Sequence, residues 1–249
     1  MTDLKAAHNL LIQRMSEEDR RRLAADFVYE PMEFKHVLLE QDEPIARIYF
    51  VESGVMSMVT DLADGETIET GTVGNEGLVG LPAVLGVFRS PGRVLCQIPG
   101  GALHVPVEVI NAEAEEGTAW FRVLLRYAHF VGATAAQQAA CNRAHAVDAR
   151  MSRWLLMTHD AVAADEFPLT QEFLGQMLGV ARPTVNIAGA TLQKAGLIKY
   201  TRGRITVLDR IGLESASCEC YARIRLERHR MLHPETLPDV SREGATRRA

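Results

Sequence analysis

The sequence predicts an α+β protein in which a domain of short antiparallel strands precedes a long helix and a smaller helical domain with a hairpin. Three observations predict this. Short apolar runs alternate with glycine-containing turns from Phe34 to about Pro106, and glycine and proline almost vanish between Glu108 and Asn142. Two short helical patterns then flank Gly179. With 249 residues, 47% of them hydrophobic, the chain is long enough for two modest domains.

Composition excludes several classes of protein. The sequence has no apolar run of about 18 residues, and the charged segment 1–22 lacks the apolar core of a signal peptide. Four cysteines in a chain of this length do not indicate a disulfide framework. The motifs of nucleotide-binding loops, serine hydrolases, zinc proteases and dinucleotide-binding enzymes are absent. We therefore expect a cytoplasmic protein that is not an enzyme and has no membrane partner.

The charge is divided unevenly along the chain. Residues 1–142 carry 11 Lys and Arg against 20 Asp and Glu, whereas residues 143–249 carry 16 against 12. The net charge of -5 therefore combines an acidic first part at -9 with a basic second part at +4. A basic domain can face nucleic acid, although an excess of four charges is also common on ordinary protein surfaces.

The first domain is predicted to be an antiparallel sandwich or barrel. Residues 1–27 form an amphipathic helical lead-in by pattern, with Ser16 placed to cap a helix. Asp64-Gly65 between two alternating runs is a strong signal for a hairpin turn. Several short strands at close spacing favour a closed or double-layered antiparallel architecture.

The long helix carries two adjoining stripes of apolar or small residues. The first stripe contains Trp120, Leu124, Tyr127, Val131 and Thr134, and the second contains Phe121, Leu125, Ala128, Gly132 and Ala135. One stripe can pack on its own domain while the small residues of the other admit a second helix. Since symmetric dimers are the commonest oligomers, we expect a homodimer, with a single buried helix in a monomer as the alternative.

The basic domain has the pattern of a winged helix-turn-helix. Helices are predicted over 146–163, 170–178 and 182–195, with Thr170 as an N-cap and a tight turn at 179–181. The segments "LIKY", "TRGR" and "ITVLD" then read as strand, turn and strand.

The helix that begins at residue 182 has the features of a DNA recognition helix. At about 100° per residue, Val185, Ala188 and Leu192 share one face. The opposite face begins with Arg182, which can bond guanine, followed by Pro183, whose missing N–H is tolerated in a first turn. Candidate DNA contacts are Arg182 and Ile187 for bases, Asn186 for an adenine or a phosphate, and Thr184, Thr170, Gln171, Arg202 and Arg204 for phosphates, with Pro183 on the same DNA-facing side of the helix.

The chain resembles the Crp/Fnr family of bacterial transcription regulators over roughly residues 10–221. In the second domain the resemblance rests on the segment "LTQEFLGQMLGVARPTVNIAGATLQKAGLIKYTRGRITVLD". In the first domain it rests on the segments "IARIYFVESGVMSMV", "DGETIETGTVGNEGLVGLPAVLG" and "VLCQIPGGALHVP". The resemblance implies a homodimer on palindromic DNA, with RNA polymerase as a candidate partner and Arg182 as the base-reading arginine. It also implies a cyclic-nucleotide-binding-like jelly-roll sensor (1–116), a dimerisation helix (117–142) and a winged helix-turn-helix (143–221). Residues 222–249 form a C-terminal extension, in which the composition of residues 234–249 predicts disorder.

The sequence does not identify the effector that the first domain binds. The resemblance places a phosphate cassette at Glu76, Gly77, Leu78, Arg89 and Ser90, but the loop is longer than the family's and Pro91 removes an N–H donor. We therefore expect an unidentified effector other than cyclic AMP. The alternative is a cyclic-nucleotide-responsive regulator with a divergent cassette.

Cofactors are not expected, and no metal site is predicted. The family's iron–sulfur version needs N-terminal cysteines, and none precedes Cys96. The histidines His8, His36, His104 and His129 lack a haem motif. Zinc bound by Cys218, Cys220, His229 and His233 is an alternative, but Cys-x-Cys is tighter than the usual spacing. We expect one of these two cysteines to be packed and the other exposed.

Overall fold

The computed structural model describes residues 3–63, 65–114 and 117–234. An antiparallel sheet of six strands forms the first domain, a 26-residue helix follows, and a helical domain with a three-stranded sheet completes the described chain. The strands of the first sheet are β1 (Val28–Met32), β2 (Val37–Leu39), β3 (Arg47–Asp61), β4 (Thr67–Val73), β5 (Leu78–Val79) and β6 (Arg93–Pro106).

The first sheet is built around its two longest strands, β3 and β6. Its order is β1-β6-β3-β4, with β2 on β6 and β5 on β3, and every pairing is antiparallel. The predicted hairpin joins β3 to β4, where the N–H of Leu62 donates to the carbonyl of Glu66 and Gly65 adopts a φ of +88°. Asp64 itself lies outside the described residues.

The N-terminal segment is only partly helical, so the predicted lead-in helix over 1–27 is wrong in extent. Two 3-10 turns, Leu4–Ala6 and Ile12–Arg14, precede the single α-helix α1 (Glu17–Leu23). Leu11 and Ile12, which are consecutive in the sequence, are both fully buried in the core, and the segment around them is irregular. The Ser16 cap is confirmed, since its hydroxyl accepts from the N–H of Asp19 at 3.0 Å.

The remaining helices of the first domain lead into the long helix α4 (Ala119–Ala144). Short helices α2 (Leu81–Val84) and α3 (Val107–Glu113) flank β6. Trp120, Leu124 and Tyr127 of α4 are buried against the sheet, as the first predicted stripe requires. Thr118 caps this helix by accepting from the N–H of Phe121 at 3.1 Å.

The second domain has the predicted winged helix-turn-helix architecture, with one additional strand. Its elements are α5 (Val147–Val162), β7 (Glu166–Pro168), α6 (Gln171–Leu178), α7 (Arg182–Lys194), β8 (Ile198–Thr201), β9 (Arg204–Val207) and α8 (Arg210–Ala216). Strand β7, which the sequence pattern did not predict, pairs with β9, and β9 pairs with β8.

The last helix, α9 (Cys220–Leu232), returns to the first domain. Its residues Ile224 and Met231 are buried in the same core as Trp120 and Tyr127 of α4. The predicted boundary between residues 221 and 222 therefore falls inside a packed helix. Of the segment 234–249 expected to be disordered, Pro234 is described and residues 235–249 lie outside the described residues.

A second apolar core joins the two domains. Val55, Val59 and Ile98 of the first sheet are buried together with Trp154 and Leu155 of α5, and with much of the helix-turn-helix. The edge of the Phe34 ring packs on Phe173 of α6 with centroids 6.0 Å apart. The two domains therefore share buried apolar surface and are not joined by the chain alone.

Candidate DNA interface and effector cavity

Helix α7 presents one face to the core and the opposite face to solvent. Val185, Ala188 and Leu192 are buried, as their spacing predicts. Arg182, Asn186 and Ile187 are exposed, and the Ile187 side chain is 71% accessible. An isoleucine this exposed in the middle of a helix contributes nothing to the core, so its position favours a contact outside the molecule.

The start of α7 is open to a ligand. Ala181 occupies the cap position and supplies no side-chain hydrogen bond, while Pro183 lies in the first turn. Thr184 is half-buried, and Arg182 forms no salt bridge with any described residue. Pro183 has no N–H and the N–H of Thr184 donates to the carbonyl of Ala181 at 2.9 Å, so the favourable feature at this end is the partial positive charge of the helix dipole beside the Arg182 guanidinium. The N-terminal end of α7 is thus suited to contact an anionic surface.

The helix-turn-helix geometry follows from the residues that flank the turn. Thr170 caps α6 by accepting from the N–H of Phe173 at 3.1 Å, so its hydroxyl is already engaged inside the protein. Gln171 begins α6 and is half-buried. Gly179 adopts a φ of +60°, which ends α6 and turns the chain toward α7.

The wing is a tight hairpin with two positive-φ residues at its tip. Arg202 and Gly203 adopt φ values of 48° and 76°, the combination that a two-residue hairpin turn requires. Arg202 is exposed, whereas the Arg204 guanidinium is paired with the Glu166 carboxylate on β7. Lys199, which was not among the candidate DNA contacts, lines the same concave surface as both wing arginines. Its position on β8, close to the hairpin tip, was the available signal.

A cavity of about 240 Å³ lies between the first sheet, α2 and α4. Its walls are mainly aliphatic, including Met58, Val79, Leu81 and Val131. Among the described residues that line it, the one charged side chain, Arg93, is paired with Asp61 at 2.9 Å. The cavity is therefore shaped for a largely apolar ligand and offers little to a phosphate.

The five candidate effector residues do not converge on this cavity. Leu78 and Ser90 line it, and the Ser90 hydroxyl donates to the carbonyl of Gly92 at 2.6 Å. Gly77 packs under Tyr127, where an added Cβ would lie 2.4 Å from the phenol oxygen. Glu76 accepts from the N–H of Gly74, and the Arg89 guanidinium donates to the carbonyl of Asp42. The charged groups of Glu76 and Arg89 are thus each hydrogen-bonded to a backbone group of the protein.

The histidines considered as haem ligands bind carboxylates or face solvent. His36 and His104 lie 3.9 and 3.6 Å from the two oxygens of Glu30, and His129 lies 3.7 Å from Glu227. His8 is exposed.

Two family models match the sequence. The model of the Crp-like helix-turn-helix domain matches residues 149–216, and that of the cyclic nucleotide-binding domain matches residues 32–116. The chain belongs to the Crp/Fnr family of transcription regulators. Family membership identifies the second domain as a DNA-binding domain, and members of this family are transcription regulators, which are generally not enzymes.

Solved structures of Crp/Fnr regulators have the same fold. FixK2 from Bradyrhizobium japonicum superposes with a TM-score of 0.67 at 17% identity, over 77% of this chain and 98% of that chain. A CRP-family transcriptional regulator from Thermus thermophilus gives 0.62 at 21%, over 76% and 96%. The c-di-GMP-responsive regulator CLP from Xanthomonas campestris gives 0.58 at 14%, over 77% and 99%. No curated protein sequence matches the chain.

Among the described residues, no helix of this Crp/Fnr regulator combines the length and the apolar character needed to cross a membrane.

A half-buried carboxylate lies at the contact between the cyclic-nucleotide-binding-like domain and the DNA-binding domain of this regulator. Glu69 of β4 accepts from the Trp154 indole N–H of α5 at 3.0 Å and from the Ser57 hydroxyl at 2.8 Å. Burial raises the pKa of Glu69 to about 7, although both hydrogen bonds and the nearby Arg153 charge act in the opposite direction. The contact between the domains therefore contains a group that titrates near neutral pH.

Stability is expected to fall as pH rises from about 4.5 to about 7. In this window the folded protein keeps the Glu69 proton that the unfolded chain has lost, so raising the pH favours unfolding by about 3 kcal/mol in total. Urea denaturation at pH 5 and pH 8 measures the difference. Glu69→Gln should reduce the pH dependence, whereas the exposed control Glu40→Gln should retain it. Equal pH dependence in wild type and Glu69→Gln would contradict the assignment.

Proposed function

We propose that this chain is a homodimeric regulator that binds a two-fold symmetric DNA site through α7. The exposed N-terminal half of α7, with Arg182, Asn186 and Ile187 on one solvent face, is the observation that carries the proposal. In this arrangement Arg182 donates two hydrogen bonds to guanine, Asn186 pairs with adenine and Ile187 contacts a thymine methyl group. Such a helix enters the major groove by its N-terminal end.

Phosphate contacts come from the residues that flank α7. Thr184, Gln171 and the wing residues Arg202 and Lys199 face outward beside the recognition helix. Arg204 also binds a phosphate, after its ion pair with Glu166 is broken. Breaking this pair costs little free energy because both side chains are exposed. Thr170 acts through its cap, which holds the N-terminus of α6 in place. These contacts set register and contribute the salt-dependent part of affinity.

Dimerisation is supported by the second stripe of α4. Leu125 is 46% exposed, and Gly132 and Ala135 beside it on the helix surface are also accessible, although the opposite face of α4 is buried. Small residues at this spacing allow a second α4 to approach closely. Two-fold symmetry places the same stripe of both chains in contact.

Leu125→Glu is expected to weaken the dimer by about ten-fold or more, because a two-fold axis brings two buried charges together. Sedimentation equilibrium measures the dissociation constant. The control Leu85→Glu alters another exposed leucine, at the end of the short helix α2, and should leave the dimer intact. An unchanged dimer in Leu125→Glu would show that another surface holds the two chains together.

The effector is proposed to be a ligand other than cyclic AMP. The apolar cavity and the separate engagements of Glu76 and Arg89 support this proposal. The match to the cyclic nucleotide-binding family model supports the alternative, a nucleotide-responsive regulator with a divergent cassette. CLP, named as c-di-GMP-responsive, illustrates that this fold accepts more than one effector.

Selection from a randomised DNA library, with and without cyclic AMP, tests the proposal. A palindrome enriched equally in both arms is the expected result. Enrichment only with cyclic AMP would favour the nucleotide-responsive alternative. Enrichment of a non-palindromic sequence would contradict the symmetric dimer, and the absence of enrichment in both arms would contradict ligand-free DNA recognition.

A further inference from the structure

Four potential metal ligands meet where α4 ends and α9 begins. Cys141, His145, Cys218 and Cys220, here called the cysteine cluster, have ligand atoms that all lie within 4.8 Å of one another. Cys141 and His145 are one helical turn apart at the end of α4, and the two other cysteines bracket the start of α9. All three cysteines are buried and carry free thiols.

The cluster corrects one expectation from the sequence and changes the ligand set of the zinc alternative, which was weighed there against the prediction of no metal site. Cys218 and Cys220 are both buried, so the prediction that one would be exposed is wrong. The histidines are also different from those considered at first. His229 and His233 stack on each other with ring centroids 4.8 Å apart at the far end of α9, whereas Cys141 and His145 reach the two cysteines from α4.

The spacing of the ligand atoms fits a shared tetrahedral centre. The Cys141 and Cys218 sulfurs are 3.5 Å apart, and the Cys220 sulfur is 3.6 Å from His145 Nδ1. Zinc–sulfur bonds of about 2.3 Å place sulfurs about 3.8 Å apart on a tetrahedron. A disulfide would require about 2.05 Å. The observed distances therefore resemble the edges of a coordination polyhedron.

Groups around the cluster orient its ligands. His145 directs Nδ1 at Cys220, while its Nε2 lies 3.2 Å from a Glu219 carboxylate oxygen. A carboxylate on the outer ring nitrogen fixes the tautomer and orientation of a metal-binding histidine. Gln137 donates an amide hydrogen bond to the Cys220 sulfur at 3.1 Å.

The charge around the cluster suits an anionic metal complex. Three thiolates and one divalent cation carry a net charge of about -1. Arg150 and Arg153, 8% and 4% exposed, both interact electrostatically with Cys141, and neither forms a salt bridge with a described carboxylate, although Arg153 also lies near the Glu69 carboxyl. Buried cations without an ion pair are unfavourable unless a nearby anion compensates them.

We propose that Cys141, His145, Cys218 and Cys220 bind one Zn²⁺ ion in a closed structural site. Zinc favours a tetrahedral set of thiolate and imidazole ligands, and four protein ligands leave no open position for catalysis. Binding deprotonates up to three thiols, whose protons pass to solvent, and involves no change of oxidation state. The ion links the end of α4 to the loop that follows the DNA-binding domain.

Metal analysis of the purified full-length protein tests the site. We expect about one zinc per chain after purification under reducing conditions. Cys218→Ser should contain less than about a tenth of that amount, whereas Cys96→Ser, which alters a buried cysteine of β6, should retain it. A wild-type protein that fails to retain added zinc would overturn the proposal. Iron with acid-labile sulfide in place of zinc would overturn the identity of the metal.

A second variant tests the site without disturbing the core. The Glu219 side chain is 78% exposed, so Glu219→Gln should fold normally. We expect its zinc affinity, measured by competition with a chromophoric chelator, to fall by about ten-fold because the outer hydrogen bond of His145 weakens. His229→Ala is the matched control and should bind zinc normally. A loss of affinity in His229→Ala but not in Glu219→Gln would overturn the ligand assignment.

Substitution with Co²⁺ supplies an independent readout. The wild-type protein should show the intense visible bands of a tetrahedral thiolate complex, and Cys218→Ser should lose them. Weak bands of octahedral Co²⁺ in the wild type would overturn the proposed geometry.

Discussion

Arg182→Ala is expected to lower specific DNA affinity by about a thousand-fold. A bidentate arginine–guanine contact is worth about 1–3 kcal/mol, and a symmetric dimer forms it twice, so the loss is about 4 kcal/mol. The substitution removes an exposed side chain that forms no salt bridge in the described chain, so the free energy of unfolding should change little. Fluorescence anisotropy with the selected operator, at fixed salt, measures the affinity.

The matched control for Arg182→Ala removes the same charge elsewhere. Arg223 is exposed on α9, away from the recognition helix, and Arg223→Ala should keep operator affinity within about three-fold. Competition with mutated operators should show that Arg182→Ala relaxes preference at one base pair per half-site. Equal losses on operator and random DNA would instead assign Arg182 to a phosphate, and no loss on either would reject α7 as the reading helix.

Asn9→Ala is expected to destabilise the protein by about 4 kcal/mol. The Asn9 side chain is fully buried, and its amide donates to the carbonyls of Val51 and Gly77 while its oxygen accepts from the N–H groups of Leu11 and Ile12. Alanine would leave these four buried backbone groups without their partner, and each unsatisfied group is worth about 1–3 kcal/mol. Urea denaturation measures the loss.

A nearby amide provides the control for this prediction. Gln13 is exposed and donates a single side-chain hydrogen bond to the carbonyl of Ala7, so Gln13→Ala should lower stability by less than about 1 kcal/mol. Similar losses in the two variants would mean that the N-terminal segment frays together and that the buried network is not specific to Asn9.

Regular periodicity made the DNA-binding domain predictable from sequence. The spacing of Val185, Ala188 and Leu192 defines the buried side of α7, and both Pro183 and Gly179 mark its start. The hairpin from β3 to β4 was predictable for the same reason, since alternation flanks a turn dipeptide. In these elements local pattern and tertiary packing agree.

Contacts between distant segments were not predictable from the same patterns. Cys141 lies 77 positions before Cys218 in the sequence. The histidines close to Cys218 and Cys220 in the sequence, His229 and His233, were therefore the candidate metal ligands. Glu166 precedes its partner Arg204 by 38 positions, and the pairing required strand β7, which is only three residues long. Helix α9 was mistaken for an extension because its hydrophobic face is completed only by α4. Each of these features depends on which segments the fold brings together.

The apolar core shared by the two domains sets how this regulator can respond. Val55 and Ile98 of the sheet and Trp154 of α5 are buried by one another, so the helix-turn-helix cannot rotate gradually without exposing them to water. A packed interface of this kind has discrete arrangements and resists intermediate ones. An effector that moves the DNA-binding domain would therefore act as a switch with a barrier, and each chain would hold this domain either in its packed position or displaced from it.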